Sequence, residues 1–169
     1  MLSNRRNFLI SASAIAAGPL LSTSLMAAEE LRTMDGSAAG LTSSLVEDKW
    51  NLVMIWSTSC GVCRVETPRL SDLYDEEKDG DLTLLGISID GLEATDAVAE
   101  FRTQYEMRFP TLLGEFITVA SEYTTLSQEE LRGTPTFMLF DLEGALVAVN
   151  PGPVRPEAVR EFISKSKAG

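Results

Sequence analysis

Apolar residues in this chain fall into short runs separated by polar, Gly- and Pro-containing turns, at two different periods. Trp50 to Trp56 holds four consecutive apolar residues, Leu52, Val53, Met54 and Ile55, between two tryptophans, the pattern of a central strand buried on both faces. Trp50 reads as core. Helical spacing follows over 62–75, with Val65, Leu70, Leu73 and Tyr74 expected to face the core and Pro68 to bend the helix. Leu82 to Ile89 alternates and then runs apolar, giving a second strand closed by Asp90-Gly91. Ala97, Val98, Phe101 and Tyr105 predict a helix over 94–105 with Thr95 as its cap, and Ile117 to Tyr123 a shorter one. Thr136 to Phe140 and Ala145 to Val149 read as a hairpin around Asp141-Leu142-Glu143-Gly144, and Pro156 opens a last helix to Ser164. This order predicts one α/β domain over 45–169, a central mixed sheet flanked by helices. The small, polar residues of 29–44 predict a flexible lead-in with little packing of its own.

Residues 1–28 have a different character. Arg5 and Arg6 precede Asn7-Phe8-Leu9, and no charge follows until after Ala28. This is the pattern of a secretory signal, and Arg-Arg-Asn-Phe-Leu resembles the twin-arginine signals of bacteria. Ile10 departs from that pattern, which often has Lys there. The stretch approaches the ~20 residues that a membrane-spanning helix needs, but Gly18, Pro19 and Ser22-Thr23-Ser24 count against a permanent span. Cleavage is expected near Ala27-Ala28, leaving a periplasmic product. No cysteine follows the signal closely enough for lipid anchoring.

Composition narrows the chemistry. The 169 residues include no histidine, two cysteines, 14 basic and 25 acidic side chains. Lack of histidine removes the commonest general base and any Ser-His or Cys-His dyad. A net charge of −11 with scattered basic residues argues against nucleic acid as a partner. Loss of 1–28 would remove Arg5 and Arg6 and no acid, leaving 12 basic against 25 acidic residues. A solvated acidic surface explains that balance most simply.

Both cysteines lie in Cys60-Gly61-Val62-Cys63, directly after the first strand and at the start of the first helix. A zinc site would need two more soft ligands, which a single chain without histidine supplies only by sharing the metal with a second subunit. A structural staple closing so small a loop would remove little unfolded-state entropy. A c-type haem site would need His where Arg64 stands. A redox-active dithiol fits the position, compartment and spacing together, and needs no metal or cofactor. At a helix amino terminus, unpaired amides and the helix dipole stabilise a thiolate on Cys60, the attacking sulfur. Cys63, one turn further in, then resolves the mixed disulfide.

The block Trp56-Ser57-Thr58-Ser59-Cys60-Gly61-Val62-Cys63-Arg64-Val65-Glu66-Thr67-Pro68 resembles the thioredoxin-like, TlpA/ResA-type thiol-disulfide oxidoreductases of the bacterial periplasm. Arg132-Gly133-Thr134-Pro135-Thr136 looks like the loop that carries a cis-proline beside the dithiol in that superfamily. The likeness extends over about residues 40 to 169 and implies a thioredoxin-like fold. It also implies that Pro135 is cis and that Thr134 pairs with an incoming peptide, with Gly133 and Trp56 as further substrate contacts. Ser59 stands where the family usually has Trp. Met54 stands where thioredoxin has a buried acid, so Glu66, one turn beyond Cys63, becomes the candidate to exchange a proton with the inner sulfur.

The resemblance implies a reductase of periplasmic client proteins, such as apocytochrome c or a copper-site assembly protein, recharged by a membrane dithiol electron donor. Cytochrome c biogenesis is one setting for such a protein. A metallochaperone on the same fold is the alternative, but copper chaperones of the superfamily have a longer cysteine spacing and a distant His. Peroxidases of the fold place Thr where Ser57 stands. If the twin-arginine reading of residues 5–9 holds, replacing Arg5 and Arg6 together by Lys leaves the protein in the cytoplasm on fractionation; normal export of that variant rejects the route.

Overall fold

The computed structural model describes residues 31–168. The export signal expected over 1–28 lies outside the described residues. In chain order the elements are β1 (Leu31–Thr33), β2 (Ala38–Ala39), β3 (Trp50–Trp56), α1 (Gly61–Glu76), β4 (Leu82–Ser88) and α2 (Thr95–Gln104). They continue with β5 (Thr111–Leu113), α3 (Phe116–Ser127), β6 (Thr136–Phe140), β7 (Leu146–Pro151) and α4 (Pro156–Ala168). The strands form one mixed sheet in the order β2-β1-β5-β4-β3-β6-β7. This is a thioredoxin-like α/β fold.

Every residue of β3 is buried because both of its faces are covered. Leu52, Met54 and Trp56 face the layer built from Cys63, Leu70 and Leu73 of α1, Phe101 of α2 and Val159 and Ile163 of α4. Val53 and Ile55 point the other way, against Leu31, Leu41, Val119 and Tyr123. β3 runs parallel to β4, with Trp56 opposite Ser88, and antiparallel to β6, with Ile55 opposite Thr136. β5 runs parallel to β4 with Leu113 opposite Ser88. The carboxyl ends of β3, β4 and β5 and the amino end of β6 therefore lie along one edge of the domain, where open α/β sheets place their sites.

The lead-in expected to pack little is part of the sheet. β1 pairs antiparallel with β5 and β2, Leu31 is fully buried and Leu41 nearly so. Each of these leucines removes a whole side chain from water, worth about 1.5–3 kcal/mol, and two isolated leucines in a polar stretch outweigh its composition. Gly114 makes room for this docking, since a Cβ there would lie 2.5 Å from Leu31 Cδ2 and 2.7 Å from Val119 Cγ2. Val65, expected inside, is 57% exposed. The inward face of α1 is set by Cys63, Glu66, Thr67, Leu70 and Leu73, and a residue two positions from Cys63 falls about 200° around the helix. Ala97 is likewise exposed, and α2 begins at Thr95, with Ala94 as the capping residue. β5 is only three residues long, too short for a period to register. Among the described residues, no helix is long and apolar enough to cross a membrane.

Candidate active site

The dithiol sits where β3 hands over to α1. Cys60 caps the helix with extended backbone angles (φ −78°, ψ 109°), and its Sγ accepts a hydrogen bond from the Cys63 N–H at 3.0 Å. The first turn of a helix leaves amides without partners, and here one of them is aimed at the outer sulfur. Cys60 and Cys63 are joined as a disulfide, with Cα atoms 5.2 Å apart. Cys60 is partly exposed, whereas Cys63 has no exposed surface and belongs to the core. The two sulfurs therefore differ in access before any chemistry begins.

The turn from Ser57 to Ser59 is fixed by a carboxylate that sequence reasoning took only for a turn residue. Asp90, just past the end of β4, receives Ser57 Oγ at 2.8 Å and Thr58 Oγ1 at 3.0 Å on Oδ1. On Oδ2 it receives the Thr58 N–H at 2.8 Å and Ser88 Oγ at 2.6 Å. The Cys60 N–H donates to Ser57 O at 3.1 Å. Arg64 donates to Thr58 O at 3.1 Å, with its guanidinium 6.0 Å from the centre of the Tyr105 ring. The available signal was three consecutive hydroxyl residues before the cysteine and an acid at a strand end, and neither is periodic.

The structure brings Pro135 to the same edge of the sheet. The Thr134–Pro135 bond is cis. Pro135 is buried, Thr134 partly exposed and Gly133 exposed, and Thr136 Oγ1 closes the loop by donating to Gly133 O at 2.7 Å. Trp56, expected at the substrate surface, is instead fully buried. Its indole stacks 4.5 Å from the Phe101 ring and donates to Thr111 Oγ1 at 3.1 Å. Gly86 makes this possible, because a Cβ there would lie 2.9 Å from Trp56 Nε1 and 2.7 Å from Thr111 Oγ1. Trp56 continues the strand, and the pleat directs it into the core.

Glu66 is 4% exposed on the inward side of α1, one turn past Cys63. Its Oε2 accepts the Val154 N–H at 3.0 Å, and its Oε1 lies 3.8 Å from Arg69 Nη1. The neighbouring Thr67 Oγ1 donates to Cys63 O at 2.8 Å. The far side of Glu66 borders an open groove with Arg69, Pro153, Val154 and Arg160. Met54, in the core beneath, carries no ionisable group. Among the described residues, no three or more Asp, Glu, Cys or His side chains converge as a metal site would require.

A partly exposed helix-capping sulfur, a buried second sulfur and a cis-proline loop at one edge of a thioredoxin-like sheet can carry thiol-disulfide exchange. Comparison with known proteins agrees. Residues 26–149 match the model of the AhpC/TSA family. The chain belongs to that family. The thiol-disulfide oxidoreductase ResA of Halalkalibacterium halodurans is 26% identical over 137 residues, which take in 81% of this chain and 72% of that protein. Among solved structures, the thioredoxin domain of a Bacteroides vulgatus thiol-disulfide oxidoreductase superposes with a TM-score of 0.63. It is 25% identical and covers 78% of this chain and 90% of its own. A thiol:disulfide interchange protein from Bacteroides sp. gives 0.64 at 25% identity, covering 83% and 86%. This AhpC/TSA chain is a thiol-disulfide oxidoreductase whose redox pair is Cys60–Cys63, and proteins are the general substrate class of such enzymes.

Proposed function

We propose that this oxidoreductase is an exported dithiol reductase for disulfides of periplasmic client proteins. The observation that carries the reading is the division of the pair between a reachable sulfur at the cap of α1 and a sulfur with no exposed surface. In the reduced protein, the Cys60 thiolate attacks one sulfur of the client disulfide, and the other client sulfur leaves with the bonding electrons. Cys63 then attacks Cys60, forming the Cys60–Cys63 disulfide and releasing the client with both sulfurs reduced. The loop of Gly133, Thr134 and Pro135 lies at the same edge of the sheet as the dithiol, and its partly exposed Thr134 offers its backbone to an extended client segment.

Attack by Cys63 requires loss of its proton in a place closed to water. Glu66 is the nearest carboxyl along the inward face of α1, and its groove on the far side offers exchange with solvent. It accepts the proton as Cys63 attacks and returns it when the disulfide is next reduced. The twin-arginine resemblance at Arg5-Arg6 supports export. Apocytochrome c and copper-site assembly proteins suit the compartment as clients, and a membrane dithiol electron donor would restore the reduced form.

Gly61-Val62 between the cysteines lacks the histidine that would strongly favour thiolate in an oxidase. Equilibration with a thiol redox buffer is expected to give a potential below about −200 mV, and a value near the −120 mV of a strong periplasmic oxidant would contradict the reductase direction. Glu66→Gln is expected to slow disulfide reduction by about tenfold or more between pH 6 and 8. An unchanged rate and pH profile would assign the proton to water.

A further inference from the structure

Ser59 is exposed and immediately precedes Cys60. Its hydroxyl lies 2.9 Å from that of Ser57, and Ser57 Oγ lies 2.8 Å from Asp90 Oδ1. A serine hydroxyl has one proton to give, and a carboxylate is a stronger acceptor than another hydroxyl. Ser57 therefore donates to Asp90 and only accepts on its other side, where the Ser59 N–H also reaches it at 3.2 Å. The Ser59 proton is directed inward to Ser57. What remains toward solvent, beside the outer sulfur, is a pair of acceptor lone pairs.

We propose that Ser59 is a specificity-determining contact of this oxidoreductase, an acceptor-only hydroxyl that favours client segments with a hydrogen-bond donor next to their cysteine. Asp90 is the positioning residue that fixes its direction. The proposal rests on Cys60 being the attacking sulfur. Beside Cys60 this chain presents a polar group whose direction is set two hydrogen bonds away. The two Asp90 oxygens have different neighbours, and that difference supplies the test. Oδ1 meets only hydroxyls, those of Ser57 and Thr58, which can turn round. Oδ2 meets the Thr58 N–H, which cannot, and the Ser88 hydroxyl. In Asp90→Asn, an amide nitrogen in the place of Oδ1 would donate to both hydroxyls while the remaining oxygen kept the other two partners. No buried donor would be stranded. The chain of hydroxyls would reverse, and Ser59 would point its proton outward.

The probes are two short peptides whose single cysteine is held as a mixed disulfide with 5-thio-2-nitrobenzoate. They differ only in the residue before that cysteine, Gln in one and the γ-methyl ester of Glu in the other. The two side chains are neutral and of similar shape, and only Gln donates. Protein reduced beforehand with dithiothreitol and desalted supplies both electrons. Cys60 attacks the peptide sulfur, the aryl thiolate leaves and is read by its colour, and Cys63 then releases the peptide thiol.

Wild type is expected to react roughly two- to tenfold faster with the Gln peptide, the effect of one neutral hydrogen bond. Ser59→Ala brings the ratio to about one without raising the ester rate. Asp90→Asn also brings it to about one, but by raising the ester rate, because both peptides carry a carbonyl that can accept from Ser59. Equal rates in wild type, a preference that survives Ser59→Ala, or a wild-type ratio in Asp90→Asn would overturn the proposal. Aryl thiolate release from both peptides that survives Cys60→Ser and is lost in Cys63→Ser would instead refute the assignment of the attacking sulfur beneath it.

Discussion

The chain leaves β3 at Trp56 and enters α1 at Gly61, and within those few residues it must turn from the buried sheet to a helix whose first amides lack partners. That junction governs the rest of the site. The cap of the helix is a sulfur instead of the usual hydroxyl or carboxylate, so the group that satisfies the helix terminus is also one half of the redox pair. Asp90 holds the turn by gathering four donors from Ser57, Thr58 and Ser88 onto one carboxylate. Trp56 anchors its start from inside the core. The outer sulfur is thus carried on a short loop secured at both ends, while the inner one is fixed by the packing of α1.

The parts of the fold that were legible in the sequence are those with a period or a fixed motif. β3 announced itself through an unbroken apolar run, and β6 and β7 through two apolar stretches around a turn. The Cys60–Cys63 pair and the Thr134-Pro135 dipeptide were legible because each is a local pattern in a set order. β1 and β5 were not, because a three-residue strand shows no alternation and owes its place to what it pairs with. Trp56 was misjudged because a motif gives proximity to the cysteine but not direction, and direction follows from the pleat. Asp90 lies 30 positions from Cys60 and becomes part of the site only because β3 and β4 run parallel in register, Trp56 beside Ser88.

In this chain without histidine, two acids stand on either side of the dithiol's own helix turn in different surroundings. Glu66 is buried one turn past Cys63 on α1 and accepts the Val154 N–H, while Asp90 holds the turn that carries the outer sulfur and is filled by donors. The first lines a groove. The second is enclosed by hydrogen bonds and holds geometry. The two carboxylates thus differ in how many donors each one meets, one backbone N–H at Glu66 and four donors at Asp90.

The two sulfurs are unequal, one reachable at the cap of α1 and one within the core. The most direct measurement treats the reduced, folded protein with less than one equivalent of iodoacetamide and locates the label by peptide mass spectrometry. The label should fall on Cys60, with Cys63 modified only after unfolding. Label shared equally, or found mainly on Cys63, would contradict the account.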